Sequence, residues 1–239
     1  MGDRVQKVDA DSLVIKRTDV PSMWDDFPFT GQPCKNVFGY ENDFVRWVAD
    51  EWTATEVGTS LQNLKDEANG VLDLTSGAVE NDGTQLQLGG TGDTETTGES
   101  FLPAVGRNIW FEARVKSDDV AEHDFFVGLA IQDTSVIASV PANIIGFVTH
   151  DGDSLLDFIH NASTEVSIAT LAANTYVKVG FKITGTSLCE YYVNDVKVGS
   201  VTNDIPATEM KLTIAQLTGE ANAATLSIDY VACYQTVTR

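Results

Sequence analysis

Apolar and polar positions alternate with a period of two over much of the chain beyond Asn42, most clearly in two segments. In residues 109–116, Ile109, Phe111, Ala113 and Val115 fall on one side, and Glu112, Arg114 and Lys116 on the other. In residues 175–183, Val177, Val179, Phe181 and Ile183 oppose Lys178 and Lys182. That period belongs to an extended strand with one buried face. Shorter runs at 44–53, 70–75, 85–88, 125–131, 188–193, 196–198, 210–217 and 225–234 carry the same signature. Asp151-Gly152-Asp153 is a turn sequence and predicts a hairpin of 143–150 with 154–160. Gly128, opposite the apolar face of its run, marks a place where a neighbour can approach closely. No segment reads as a long amphipathic helix; residues 59–68 are compatible with a short one. Many short strands separated by turns predict an all-β fold of two antiparallel sheets packed face to face, in one domain over residues 41–239.

The first forty residues break this pattern. They lack periodicity, yet Met23, Trp24, Phe27, Phe29 and Phe38 are large apolar groups that need a surface to cover them. Residues 1–40 are therefore read as an N-terminal arm docked on its own domain or, preferentially, on a neighbouring subunit or partner.

Charge narrows the partners. Thirty-five acidic against fifteen basic residues give a net charge of -20, which disfavours a nucleic-acid partner, since phosphate binding needs a concentrated basic surface. No run of about 18 apolar residues proposes a membrane span, and residues 1–7 do not read as a secretory leader. Cys34, Cys189 and Cys233 have neither zinc-site spacing nor an even count, so buried thiols in a chain made in a reducing cytoplasm are expected.

Catalytic signatures are sparse. Retaining glycoside hydrolysis needs two carboxyl groups roughly 5 Å apart, and no Glu-x-Asp-x-Glu strand occurs in the sequence; Asp50-Glu51 and Asp118-Asp119 read as solvated charge. There is no Gly-x-Ser-x-Gly elbow. His123 is placed in a loop, and His150 and His160 at opposite ends of the hairpin, so a structural or surface role is expected for each. Trp47 and Trp52 offer an aromatic platform for a sugar or, as strand tryptophans, part of the core.

The segments 110–115, 126–130, 146–152, 176–181, 192–198 and 226–231 together resemble the concanavalin A-like lectin and glucanase superfamily, particularly its laminin-G-like branch. The resemblance covers somewhat more than half of the chain and implies a jelly-roll β-sandwich. It also raises calcium, for which Asp151 and Asp153 are the local candidates in a chain otherwise expected to need no cofactor. The superfamily includes lectins, glycosidases and virion proteins of tailed phages, so the fold alone does not fix the function. A small acidic jelly roll with an aromatic Trp24-Asp25-Asp26-Phe27 arm resembles the phage group most. The expected role is a non-enzymatic capsid decoration (cement) protein on the virion exterior, a homo-oligomer bound to the major capsid protein or another virion protein. A carbohydrate-binding adhesion module with a glycan partner is the alternative, and a glucanase the third reading.

Overall fold

The computed structural model describes residues 4–9, 12–16, 22–28, 36–89, 100–161 and 163–237. Strands β1 (Arg4–Asp9) and β2 (Ser12–Lys16) form an antiparallel hairpin within the arm. The remaining strands are β3 (Val37–Asn42), β4 (Trp52–Val57), β5 (Ser60–Leu64), β6 (Leu72–Ser76), β7 (Gly83–Leu88), β8 (Asn108–Ser117), β9 (His123–Ala130) and β10 (Ile144–Val148). They continue with β11 (Leu155–His160), β12 (Ser163–Thr170), β13 (Val177–Thr184), β14 (Leu188–Val193), β15 (Val196–Val201), β16 (Lys211–Thr218) and β17 (Thr225–Thr236).

Among the described residues these strands make two antiparallel sheets. One runs β12-β11-β10-β9-β16-β7-β4, and the other β15-β14-β13-β8-β17-β6-β5, with β3 also paired to β17. Their inner faces meet in one continuous core. Phe111, Phe181, Leu226 and Ile228 come from one sheet, and Phe147, Phe158, Leu212 and Ile214 from the other. Phe111 and Phe181 lie directly opposite in the β8–β13 register and stack at 4.9 Å, and Phe158 stacks on Tyr191 across the layers at 4.4 Å. Cys189 and Cys233 are buried free thiols in this core, whereas Cys34 lies outside the described residues.

Several sequence expectations change. The apolar run 44–53 is not one strand: residues 44–46 bend, Ala49–Glu51 is a turn of 3₁₀ helix and β4 starts at Trp52. Phe44 takes a positive φ of 50° and is fully buried beside Gly70, where an added Cβ would meet the Asp43 carbonyl oxygen at 2.4 Å. Within 59–68, which the sequence left compatible with a short helix, Ser60–Leu64 is strand β5, and His123 begins β9 instead of lying in a loop. β3 straddles the expected arm boundary at residue 40, because its backbone is satisfied along β17 from Val37↔Thr236 to Asn42↔Val231.

Candidate functional site

Each sheet has an outer face, and part of each is overlaid by the chain itself. On the β8–β13–β17 sheet the cover is residues 22–28. This segment folds on its own bonds: Asp25 N–H donates to Ser22 O, Phe27 N–H to Trp24 O, and Ser22 N–H to Asp25 Oδ2. Its side chains then engage the sheet. Phe27 packs edge-on to Trp110 at 5.2 Å and to Tyr234 at 5.3 Å, and Trp24 packs edge-on to Tyr234. Trp24 Nε1–H donates to Glu112 Oε2 (2.8 Å) while Tyr230 Oη–H donates to Glu112 Oε1 (2.7 Å), so one carboxylate ties the segment to the strand beside it. Burial, then Glu112, pushes the Tyr230 phenol up. Asp26 pairs with Lys182 at 2.5 Å. Met23 is buried against Gly180, where an added Cβ would stand 2.9 Å from Met23 Cε.

Of the five arm residues singled out in the sequence, Met23, Trp24 and Phe27 pack against the chain's own sheet, one of the two placements that the sequence left open. Phe38 belongs to β3 and lies against Phe101 at 5.2 Å, as part of the sandwich. Phe29 lies outside the described residues.

On the other sheet the cover is the connection between β9 and β10, residues 131–143. Its Val136, 1% exposed, packs with Phe126, Ala130, Ile144, Val148 and Ala215 on the outer face. The glycine pair Gly128↔Gly146 makes room: an added Cβ on either would approach the Phe126 ring within 3.0 Å, so this ring lies over the bare backbone of β9 and β10. The close neighbour expected at Gly128 is therefore that ring, together with Gly146. Two buried glutamines hold the connection. Gln85 donates to Asp133 O and accepts from Val136 N–H; Gln87 donates to Ile131 O and Thr213 Oγ1 and accepts from Asp133 N–H. Beside it is a largely apolar cavity of about 120 Å³ between Val57, Gly83, Ile137, Ala138 and Leu217.

Trp47 and Trp52 do meet, stacked at 6.2 Å, but they differ in access. Trp52 is 1% exposed and belongs to the core, while Trp47 is half-buried above it. Tyr40 packs edge-on to Trp52, donates to Glu51 Oε2 and accepts from Asn42 Nδ2. Burial raises its phenol to about 12. Tyr40, Glu41, Asn42, Arg46 and Glu51 line a polar cavity of about 260 Å³ at this corner.

Asp151 and Asp153 are exposed in the β10–β11 turn, where Asp153 Oδ1 accepts the Leu155 N–H. The sequence reading missed their acidic neighbour. Asp124, at the start of β9, has its carboxyl pushed up to about 6 by burial and then by Asp151. It belongs to Glu122-His123-Asp124, a Glu-x-Asp spacing continued by Phe126 and Val127 instead of a second glutamate. His123 between them is buried, bonded to Ser117 Oγ (2.7 Å) and Gln216 Oε1 (2.8 Å), and burial lowers its pKa. His160 is buried too, 3.5 Å from Glu165, whereas His150 is exposed. No group of three or more His, Cys, Asp or Glu suited to a metal ion is present among the described residues.

No protein-family model and no curated protein matches the chain. Solved structures do. A protein of unknown function from Shewanella oneidensis MR-1 is 14% identical with a TM-score of 0.57, over 85% of this chain and 88% of that one. The Bacillus licheniformis β-glucanase is 14% identical with a TM-score of 0.55, over 84% and 98% of the two chains. Peanut lectin is 9% identical with a TM-score of 0.55, over 85% and 99%. Likeness at such identities reports architecture alone, and with the two antiparallel sheets it assigns the chain the concanavalin A-like jelly-roll sandwich fold.

Proposed function

We propose that the protein is a non-catalytic structural module of a phage virion, a capsid decoration protein that seats on the head exterior and ties neighbouring subunits together. The observation that carries the non-catalytic part is the covered face of the β9 sheet. The Glu-x-Asp spacing at the start of that strand is followed by Phe126, and Val136 and Ile137 of the 131–143 connection pack on the outer face over Phe126, which takes up space that a polymer chain would need. The virion part is supported by the acidic net charge, which suits a particle exterior, and by the aromatic arm. A protein that binds only the assembled shell stabilises it by mass action. Immunogold labelling of purified particles from the phage that encodes the chain tests the reading. Label on heads is expected, and particles without the chain contradict it. Deleting residues 1–30 is expected to abolish head labelling while the sandwich stays folded.

A carbohydrate-binding module is the second reading, favoured by half-buried Trp47 beside the polar cavity of Tyr40, Asn42 and Glu51. A glycan array run with and without calcium separates the two: specific binding lost in Trp47→Ala supports the lectin. Release of reducing sugar from a β-glucan would instead revive the glycosidase.

A further inference from the structure

The Ser22–Phe27 turn differs from an ordinary piece of the sandwich in how it is held. Its backbone hydrogen bonds, Asp25 to Ser22 and Phe27 to Trp24, are internal, and Trp24 N–H is bonded to Ser22 Oγ. Side chains join it to the sheet: Met23 lies over Gly180, the rings of Trp24 and Phe27 lie against Trp110 and Tyr234, Trp24 is bonded to Glu112 and Asp26 is paired with Lys182. This is the arrangement of a preformed peptide ligand in a socket, with aromatic anchors at its centre and a charged pair at its rim.

Seven residues, 29–35, separate Pro28 from Asn36 in the sequence, a length that spans about 25 Å when fully extended. Every contact between turn and socket can form equally well between two copies, because exchange of an identical element leaves the interface unchanged. Effective concentration then decides between the chain's own turn and a neighbour's, and copies crowded on one surface favour the neighbour.

We propose that the socket of Trp110, Glu112, Gly180, Lys182 and Tyr234 takes the Ser22–Phe27 turn of a second copy of this chain, so that neighbouring copies are linked by exchanged turns. The proposal deepens the decoration reading, since it names what staples one copy to the next, but its test needs no particles.

Two charge-reversed chains, Asp26→Lys and Lys182→Glu, each place like charges between turn and socket whether the turn stays at home or is exchanged with an identical copy. In an equimolar mixture of the two, exchange between unlike copies restores opposite charges at both sockets, whereas a turn kept at home restores neither. Sedimentation velocity of the unmodified chain at rising concentration is expected to show reversible association. Each variant alone should associate no more tightly than the unmodified chain, because the like-charge contact is the same at home and exchanged, and the equimolar mixture should associate about tenfold more tightly than either variant. A labelled peptide of residues 20–30 should bind saturably to the Trp24→Ala/Phe27→Ala chain, whose own turn no longer fills the socket, and lose that binding when Tyr234→Ala is added.

An unmodified chain that stays monomeric at every concentration, a mixture no more associated than either variant, or a peptide that does not bind would overturn the proposal. Failure of head labelling with association intact would remove the virion reading alone. Head labelling without association would remove turn exchange alone.

Discussion

The two outer faces of the sandwich are both overlaid by the chain, yet by covers of different kinds. Residues 131–143 are fastened through their backbone: Ile131 O, Asp133 O, Asp133 N–H and Val136 N–H are bonded to Gln85 and Gln87, which are 5% and 2% exposed. Residues 22–28 bond part of their backbone internally, Asp25 N–H to Ser22 O and Phe27 N–H to Trp24 O, and reach the sheet through the side chains of Met23, Trp24, Asp26 and Phe27. A buried amide that loses its partner carries a desolvation cost of about 1–3 kcal/mol, whereas an aromatic ring that lifts away returns to water without leaving orphaned donors. The first cover is part of the fold, and the second is a ligand that the fold carries with it.

The sharpest way to break this contrast is to remove what residues 131–143 rest on. Phe126→Ala, at a site 1% exposed beneath Val136, is expected to cost about 3–5 kcal/mol in chemical denaturation. Gln87→Ala strands Ile131 O and Asp133 N–H and is expected to cost about 2–3 kcal/mol by the same measurement. Residues 22–28 should respond far less: Trp24→Phe removes the hydrogen bond to Glu112 and is expected to cost about 1 kcal/mol, with the denaturant slope unchanged. Lys182→Met, at the half-exposed Asp26 pair, should shift stability by less than about 0.5 kcal/mol.

Acid titration sharpens the comparison from another side, since Asp124 and His123 sit together at the start of β9 and act in opposite senses. Asp124 is raised from 3.8 to about 6, so the folded state binds its proton more tightly than the unfolded chain does. The stability this confers is complete below 3.8 and lost as pH rises through 6, leaving an ionised carboxylate at pH 7 that weakens the fold. Asp124→Asn should therefore stabilise the protein at pH 7, by about 1 kcal/mol once partial exposure is allowed for, and have little effect at pH 4. His123 is lowered from 6.5 and must stay neutral, so its contribution is complete above 6.5 and fades as pH falls below it. Melting temperature against pH for Asp124→Asn and the unmodified chain checks both signs.

How much of this was legible in the sequence depends on where burial acts. β8 and β13 were readable because each has one face in the core and one outward, so Phe111 and Phe181 alternate with Glu112 and Lys182. The segment 44–53 misled because Val45, Trp47 and Ala49 fall at two-residue spacing while Val45, 69% exposed, faces away from the core; the chain turns there to bury Phe44 against Gly70. β5 carries Leu61 and Leu64 at helical spacing, but both are exposed on a strand that, among the described residues, pairs only with β6 at the sheet edge. β12 escaped notice because Thr164, Glu165, Val166 and Ser167 are all exposed at the other sheet's edge. The site was less readable than the fold. Two-residue alternation sets Gln85 and Gln87 opposite Leu86 and Leu88 but carries no sign that residues 131–143 lie over them. Trp24 and Phe27 lie against Glu112, Trp110 and Tyr234; which residues supply that surface depends on register across β8 and β17, which periodicity does not encode.

Native-state hydrogen exchange of two amides tests the account most directly. Val136 N–H, held by Gln85, should exchange only through global unfolding, with the full denaturant dependence, while Phe27 N–H, held by Trp24 O, should exchange through a local opening with almost none. Equal protection and equal denaturant dependence at both amides would mean that the two covers are one cooperative unit, and the turn at residues 22–28 would no longer qualify as a separable ligand.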